Sequence, residues 1–68
     1  MSTATLTHPD GHRLYTFTPH TDSVTTVRSG SKRRPGSATV WSGTKRMARF
    51  QAVTFYRQLV ASGYTLAP

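Results

Sequence analysis

An α+β domain, a small antiparallel meander of three to four strands packed on one C-terminal helix, follows from three features of this 68-residue chain. The first two thirds are rich in Thr and Val and are punctuated by Pro-Asp-Gly and Thr-Asp-Ser, the composition of short strands joined by tight turns. Helical periodicity is confined to the stretch from Trp41 to Tyr64, where Ala52, Val53, Tyr56, Leu59 and Val60 recur at i, i+3, i+4 spacing with Phe55 on the flank. Hydrophobic residues make up only 35%, and a chain this short buries only about 60% of its unfolded surface. Its core is therefore one layer, helix against sheet. Residues 1–68 form a single domain, with 1–2 and 66–68 expected to fray.

Thr3 to Thr7 reads as a weak edge strand. His8-Pro9-Asp10-Gly11 is a turn, because Pro fixes φ and Asp then Gly suit the positions after it. His12 to Thr18 is the strongest strand, with Tyr15 and Phe17 on one face and Leu14 and Thr16 on the other. Pro19 closes it, having no N–H for a ladder. Thr21-Asp22-Ser23 turns the chain into a β-branched strand over Ser23 to Arg28. Ser29 to Ser37 has loop composition, with Lys32-Arg33-Arg34 at its centre. Ala38 to Ser42 is the last strand, Thr39 and Trp41 on one face and Val40 on the other. The helix begins around Thr44–Met47, with Thr44 as N-cap, and runs to Ser62. Gly63 then takes a left-handed conformation and Tyr64 folds back on Leu59, the spacing of a Schellman cap. Leu66 to Pro68 is a short tail.

Nine Lys and Arg face two acids, Asp10 and Asp22, for a net charge of +7. Such a balance attracts nucleic acid, anionic lipid or an acidic protein. There is no cysteine for a disulfide or thiolate site. No apolar run reaches the ~20 residues of a membrane span, and the N-terminus lacks the apolar segment of a secretory signal. A cytoplasmic, intracellular setting is expected. Catalysis is not: there is no Glu, and both Asp read as turn residues. His8 and His12 flank a turn, but two imidazoles without carboxylate or thiolate make no metal site. No cofactor motif is present.

The candidate anion-binding residues are Arg28, Lys32, Arg33 and Arg34 in and before the loop, and Lys45, Arg46 and Arg49 at the expected helix start. Cations at a helix N-terminus oppose the dipole, a conflict that a phosphate docked on the free N–H groups removes. The charged loop and the helix start are expected to share one rim. Among aromatics, Trp41 and Phe50 are the candidate contacts. Tyr15, Phe17 and Trp41 serve either as the sheet's half of the core or as a stacking platform on its free face, core being favoured. Phe50 either seals the core edge, the favoured reading, or stands out as an anchor.

Val40-Trp41-Ser42-Gly43-Thr44 resembles the V-W-L-G-T segment that ends the third strand of plant AP2-type DNA-binding domains, where a helix bearing alanine and aromatic residues follows. The order of strands then helix is also similar to the arm-binding domains of phage-type integrases, and the close of the helix at Gly63-Tyr64 resembles the end of WGR domains. The AP2 likeness covers about 25 residues. It departs where Lys45, Arg46 and Arg49 replace the acids that open the AP2 helix. The resemblance implies that the sheet, not the helix, enters the major groove. It implicates Arg28 and Trp41 in contact and sets Lys32, Arg33 and Arg34 on phosphates. The expectation is therefore a small non-enzymatic module binding DNA or RNA. The alternative is an accessory protein that docks its basic edge, or its open sheet edge, on an acidic partner.

Overall fold

The computed structural model describes residues 3–34 and 36–66. Strands β1 (Ala4–Thr7), β2 (Arg13–Pro19), β3 (Val24–Ser31) and β4 (Val40–Ala48) are followed by helix α1 (Arg49–Ala61) and strand β5 (Thr65–Leu66). Every pairing is antiparallel, and the sheet order is β4-β3-β2-β1-β5. The α+β meander with one helix is as expected, with one strand more. Leu66, expected to open a tail, pairs instead with Leu6, and Thr65 pairs with Thr7. That added strand moves the sheet edge away from β1, which is flanked on both sides. Met1, Ser2, Ala67 and Pro68, expected to fray, lie outside the described residues, as does Pro35.

The turns follow their residue chemistry. Gly11 sits at φ 77°, and its N–H donates to the His8 carbonyl at 2.9 Å, closing the Pro-Asp-Gly turn between β1 and β2. At the β2–β3 turn, Thr21 Oγ1 accepts from the Val24 N–H at 3.1 Å, the local capping that favours Thr in turns.

The helix start differs from expectation. Thr44 to Ala48 continue the β4 ladder, paired with Val24 to Arg28, and α1 opens only at Arg49. The β-branched run of β3 provides a partner for every one of these residues, and tertiary pairing overrides local helix preference. Thr44 is therefore no N-cap. Ala48 occupies that position without a side-chain bond, and the Arg49 N–H donates to the Ser23 carbonyl at 2.9 Å.

Helix α1 crosses one sheet face. Ala52, Phe55, Tyr56 and Leu59 point inward at i, i+3, i+4, i+7 and meet Leu6, Phe17 and Val27. Aromatic edges interlock there: Tyr15 lies 5.2 Å from Phe55, and Phe17 lies 5.5 Å from Tyr56, both near perpendicular, a favoured geometry for rings. Two members of the expected stripe, Val53 and Val60, are 43% and 48% exposed. Each lies about 100° around the helix from its inward neighbour. Phe50, expected to seal the core edge, is 73% exposed; it precedes Ala52 by two residues and lies nearly opposite the buried face. Among the described residues no helix is long and apolar enough to cross a membrane.

The C-terminal cap is as expected. Gly63 adopts φ 103°; its N–H donates to the Val60 carbonyl at 3.1 Å, and the Tyr64 N–H to the Leu59 carbonyl at 3.0 Å, the paired bonds of a Schellman motif. A Cβ on Gly63 would stand 3.2 Å from Pro9 Cγ. Gly63→Ala is expected to destabilise the domain by about 1–2 kcal/mol, the cost of a left-handed L-residue. Urea unfolding followed by circular dichroism measures it.

Candidate functional site

Cross-strand partners lie on the same side of a sheet, so the register assigns each strand residue to a face. Tyr15 and Phe17 lie under α1, and with them Val27 and Ser29 of β3 and Gly43, Lys45 and Met47 of β4. The opposite face, which no helix covers, carries Leu14 and Thr16 of β2, Thr26, Arg28 and Gly30 of β3, and Trp41, Thr44 and Arg46 of β4. Thr5 and Thr7 of β1 extend it.

On this free face the Arg28 guanidinium stands 4.2 Å from the centroid of the Trp41 ring. That distance is within cation–π range. Gly30 makes room for the stack: a Cβ there would fall 2.8 Å from the Trp41 ring and 2.8 Å from the Thr39 methyl. The indole thus packs against a strand position that has no side chain. Leu14 is paired with Gly30 and is 4% exposed, though it stands apart from the cluster under the helix. Trp41 consequently belongs to the free face, not to the main core where Tyr15 and Phe17 lie. It remains 39% exposed.

Strand alternation divides the basic residues. Arg46 pairs with Thr26, and Thr44 with Arg28. Arg46 is therefore the diagonal neighbour of Arg28 on the same face, at roughly 7–8 Å between backbones. Lys45 points to the other side, beside α1. A bulge between Ser29 and Gly30 leaves Ser42 unpaired in β4, with the Ser42 hydroxyl donating to the Ser29 carbonyl at 3.3 Å. The extra residue restores Trp41 to the face of Arg28 and Thr44.

The expected common rim does not form. Ser31 pairs with Val40 at one end of the β3–β4 hairpin, and Val24 with Ala48 at the other. Lys32, Arg33 and Arg34 follow the first end, and Arg49 follows the second. Seven residue steps, Val24 to Ser31, separate these ends, roughly 23 Å at 3.3 Å per step. The cause is the late helix start, which carries Lys45 and Arg46 back into the ladder and leaves Arg49 near Asp22, with which it lines a small pocket. What does gather is Arg28, Arg46 and Trp41 on the free face, with Lys32, Arg33 and Arg34 at the Trp41 end. Phe50 is exposed near Arg49, far from this group. Gly30, of loop composition in the sequence, lies within β3. Its i+2 spacing from Arg28 is the signal that places both on one face once the strand is extended.

The acids do not neutralise this patch. His8 Nδ1 lies 3.0 Å from Asp10 Oδ1. The His12 N–H donates to Asp10 Oδ1 at 2.8 Å and holds that carboxyl below its ordinary value of 3.8, with His8 as a smaller contribution. His12 itself is tied to the loop: the Lys32 N–H donates to the His12 carbonyl at 2.7 Å, and His12 Nδ1 lies 3.0 Å from the Lys32 carbonyl. These bonds anchor the first residue of the basic run. Burial pushes the Tyr64 hydroxyl above its usual range, and Tyr15 adds to the shift. Among the described residues, no three His, Cys, Asp or Glu side chains gather as metal ligands.

No protein-family model, curated protein or solved structure matches this chain.

Gly30→Ala is expected to lift Trp41 from the sheet. As this is the only tryptophan, a red-shifted emission and greater acrylamide quenching report it directly; unchanged emission would contradict the packing described. For Asp10, the folded pKa lies below the unfolded value, so its contribution is present above pH 3.8 and is lost as pH falls through the folded value. The melting temperature of the wild type is expected to drop more steeply below that pH than that of Asp10→Asn, measured in paired thermal melts.

Proposed function

We propose that this chain is a small nucleic-acid-binding module that acts by binding rather than catalysis, with the helix-free sheet face as its contact surface. The observation that carries this reading is the Arg28–Trp41 stack on the helix-free face, with Arg46 alongside and no carboxylate on that face. Arg28 and Trp41 are the contact residues for bases; Arg46, Lys32, Arg33 and Arg34 hold phosphates. A ribbon of two antiparallel strands fits the major groove of duplex DNA, and the hydroxyls of Thr26 and Thr44 are of the type that bonds phosphate oxygens. Net charge of +7 supplies long-range attraction. The likeness of Val40–Thr44 to the AP2 strand points to the same face and the same two residues. Arg49 and Phe50, at the far end of the hairpin, have no part in this contact, and Lys45 lies across the strand from it.

Fluorescence anisotropy with labelled duplex DNA, single-stranded DNA and RNA tests the reading at several salt concentrations. With three to five phosphates neutralised, log K against log salt should fall with a slope of about −2.7 to −4.5 on duplex. Arg28→Ala is expected to cost about 1–3 kcal/mol, and Arg33→Ala to reduce the slope by about 1. Arg49→Ala should leave both unchanged. Equal losses from Arg49→Ala and Arg28→Ala, or no salt dependence, would exclude the proposed face.

A further inference from the structure

The side of the β3–β4 hairpin turned toward α1 has a second feature. Helix α1 covers Leu6, Phe17 and Val27 but leaves the margin of β4 open. A groove of about 410 Å³ runs there, lined by Tyr15, Val27, Met47 and Phe55, with Gly43 and Lys45 on its outer side. Beside it, β4 is the terminal strand of the sheet. Val40 to Arg46 are all exposed, so one row of backbone N–H and C=O groups has no partner strand.

Gly43 is the unusual member. Glycine weakens a strand interior and marks a bulge, a bend or a close approach by another backbone. The adjacent bulge does not require it, because Gly43 has no positive φ. Nor does crowding: a Cβ at Gly43 would meet only the Ser29 hydroxyl, at 3.4 Å. What its missing side chain does is leave the groove open toward the edge. Two residues on, Lys45 faces the same side; Arg46 faces the other. The groove lining and β4 hold no carboxylate.

We propose that the β4 edge binds an extended acidic segment of a partner protein, which adds as a sixth strand. Its backbone pairs with β4. One apolar side chain enters the groove over Gly43, and an Asp or Glu two residues along meets Lys45. Main-chain bonds give such additions their affinity, and alternate side-chain pockets give them selectivity. Charge selects the occupant. A second copy of this chain would bring Lys45 and Arg46 of both edges to one seam, between two bodies of +7 each, and lysine on an edge strand opposes that pairing. An acidic strand turns the same cations into attraction. This site is on the opposite face from the Arg28–Trp41 stack and does not depend on it.

The test uses the full chain and the end-blocked peptide Ile-Thr-Asp-Thr-Ile-Thr-Asp-Thr-Ile, which alternates Ile and Asp on one face. Amide hydrogen exchange by NMR should show new protection along Val40–Met47 on addition of the peptide. Gly43→Val fills the groove at a position that accepts a Cβ. It is expected to weaken peptide binding about tenfold or more while leaving the fold and duplex-DNA affinity unchanged. Lys45→Glu should weaken it comparably, and the same peptide with Lys for Asp should not bind. Leu66→Ser on the opposite edge should have no effect. Protection confined to β5, equal binding by Gly43→Val, absence of binding, or concentration-dependent self-association through β4 without peptide would each overturn the proposal.

Discussion

The eight-pair ladder between β3 and β4 is the contact on which the other features depend. It continues past Thr44 to Ala48, and so postpones the helix to Arg49. That shift turns Lys45 and Arg46 from neighbours on a helix turn into residues on opposite faces of a strand. It also aims α1 from the Val24 end of the hairpin back across Phe17 and Leu6. The aromatic contacts of Tyr15 and Phe17 with Phe55 and Tyr56 then fasten the helix at its midpoint. The Schellman turn at Gly63 returns the chain to the sheet as β5. Without the extended ladder, the helix would begin elsewhere and bury a different stripe.

The bulge at Ser42 gives this ladder its chemical asymmetry. In a sheet, a one-residue slip exchanges faces. The inserted residue does this within a single strand, so Trp41 stacks with Arg28 while Gly43 stays on the helix side. Two adjacent residue pairs thereby create two surfaces of different character. One is flat, cationic and aromatic, with Gly30 beneath the indole. The other is an apolar groove opened by Gly43. Each surface uses a glycine as absent volume, not as a source of backbone freedom.

Charge placement follows from the same geometry. Both acids lie in turns at opposite ends of the sheet, Asp10 bonded to His8 and His12 and Asp22 near Arg49. Between them, the β3–β4 half of the domain holds only cations. The positive field is therefore a stripe along one hairpin, stronger toward the Lys32–Arg34 end. It is not a pocket at a helix terminus, and the dipole conflict inferred for Lys45 and Arg46 disappears because neither is helical.

Much of this was readable from residue order, wherever a local rule governs. The Pro-Asp-Gly turn, the faces of Leu14, Tyr15, Thr16 and Phe17, the inward stripe of Ala52, Tyr56 and Leu59, and the Gly63 cap all rest on interactions within a few residues, which short-range pattern encodes. Long-range pairing set the rest. Thr44 to Ala48 suit helix or strand, and only the presence of β3 alongside settles which. Thr65 and Leu66 have no strand signal of their own and become one by lying next to β1. The separation of Arg49 from Lys32, and the meeting of Arg28, Gly30 and Trp41, are consequences of register, a property of two segments together that neither carries alone.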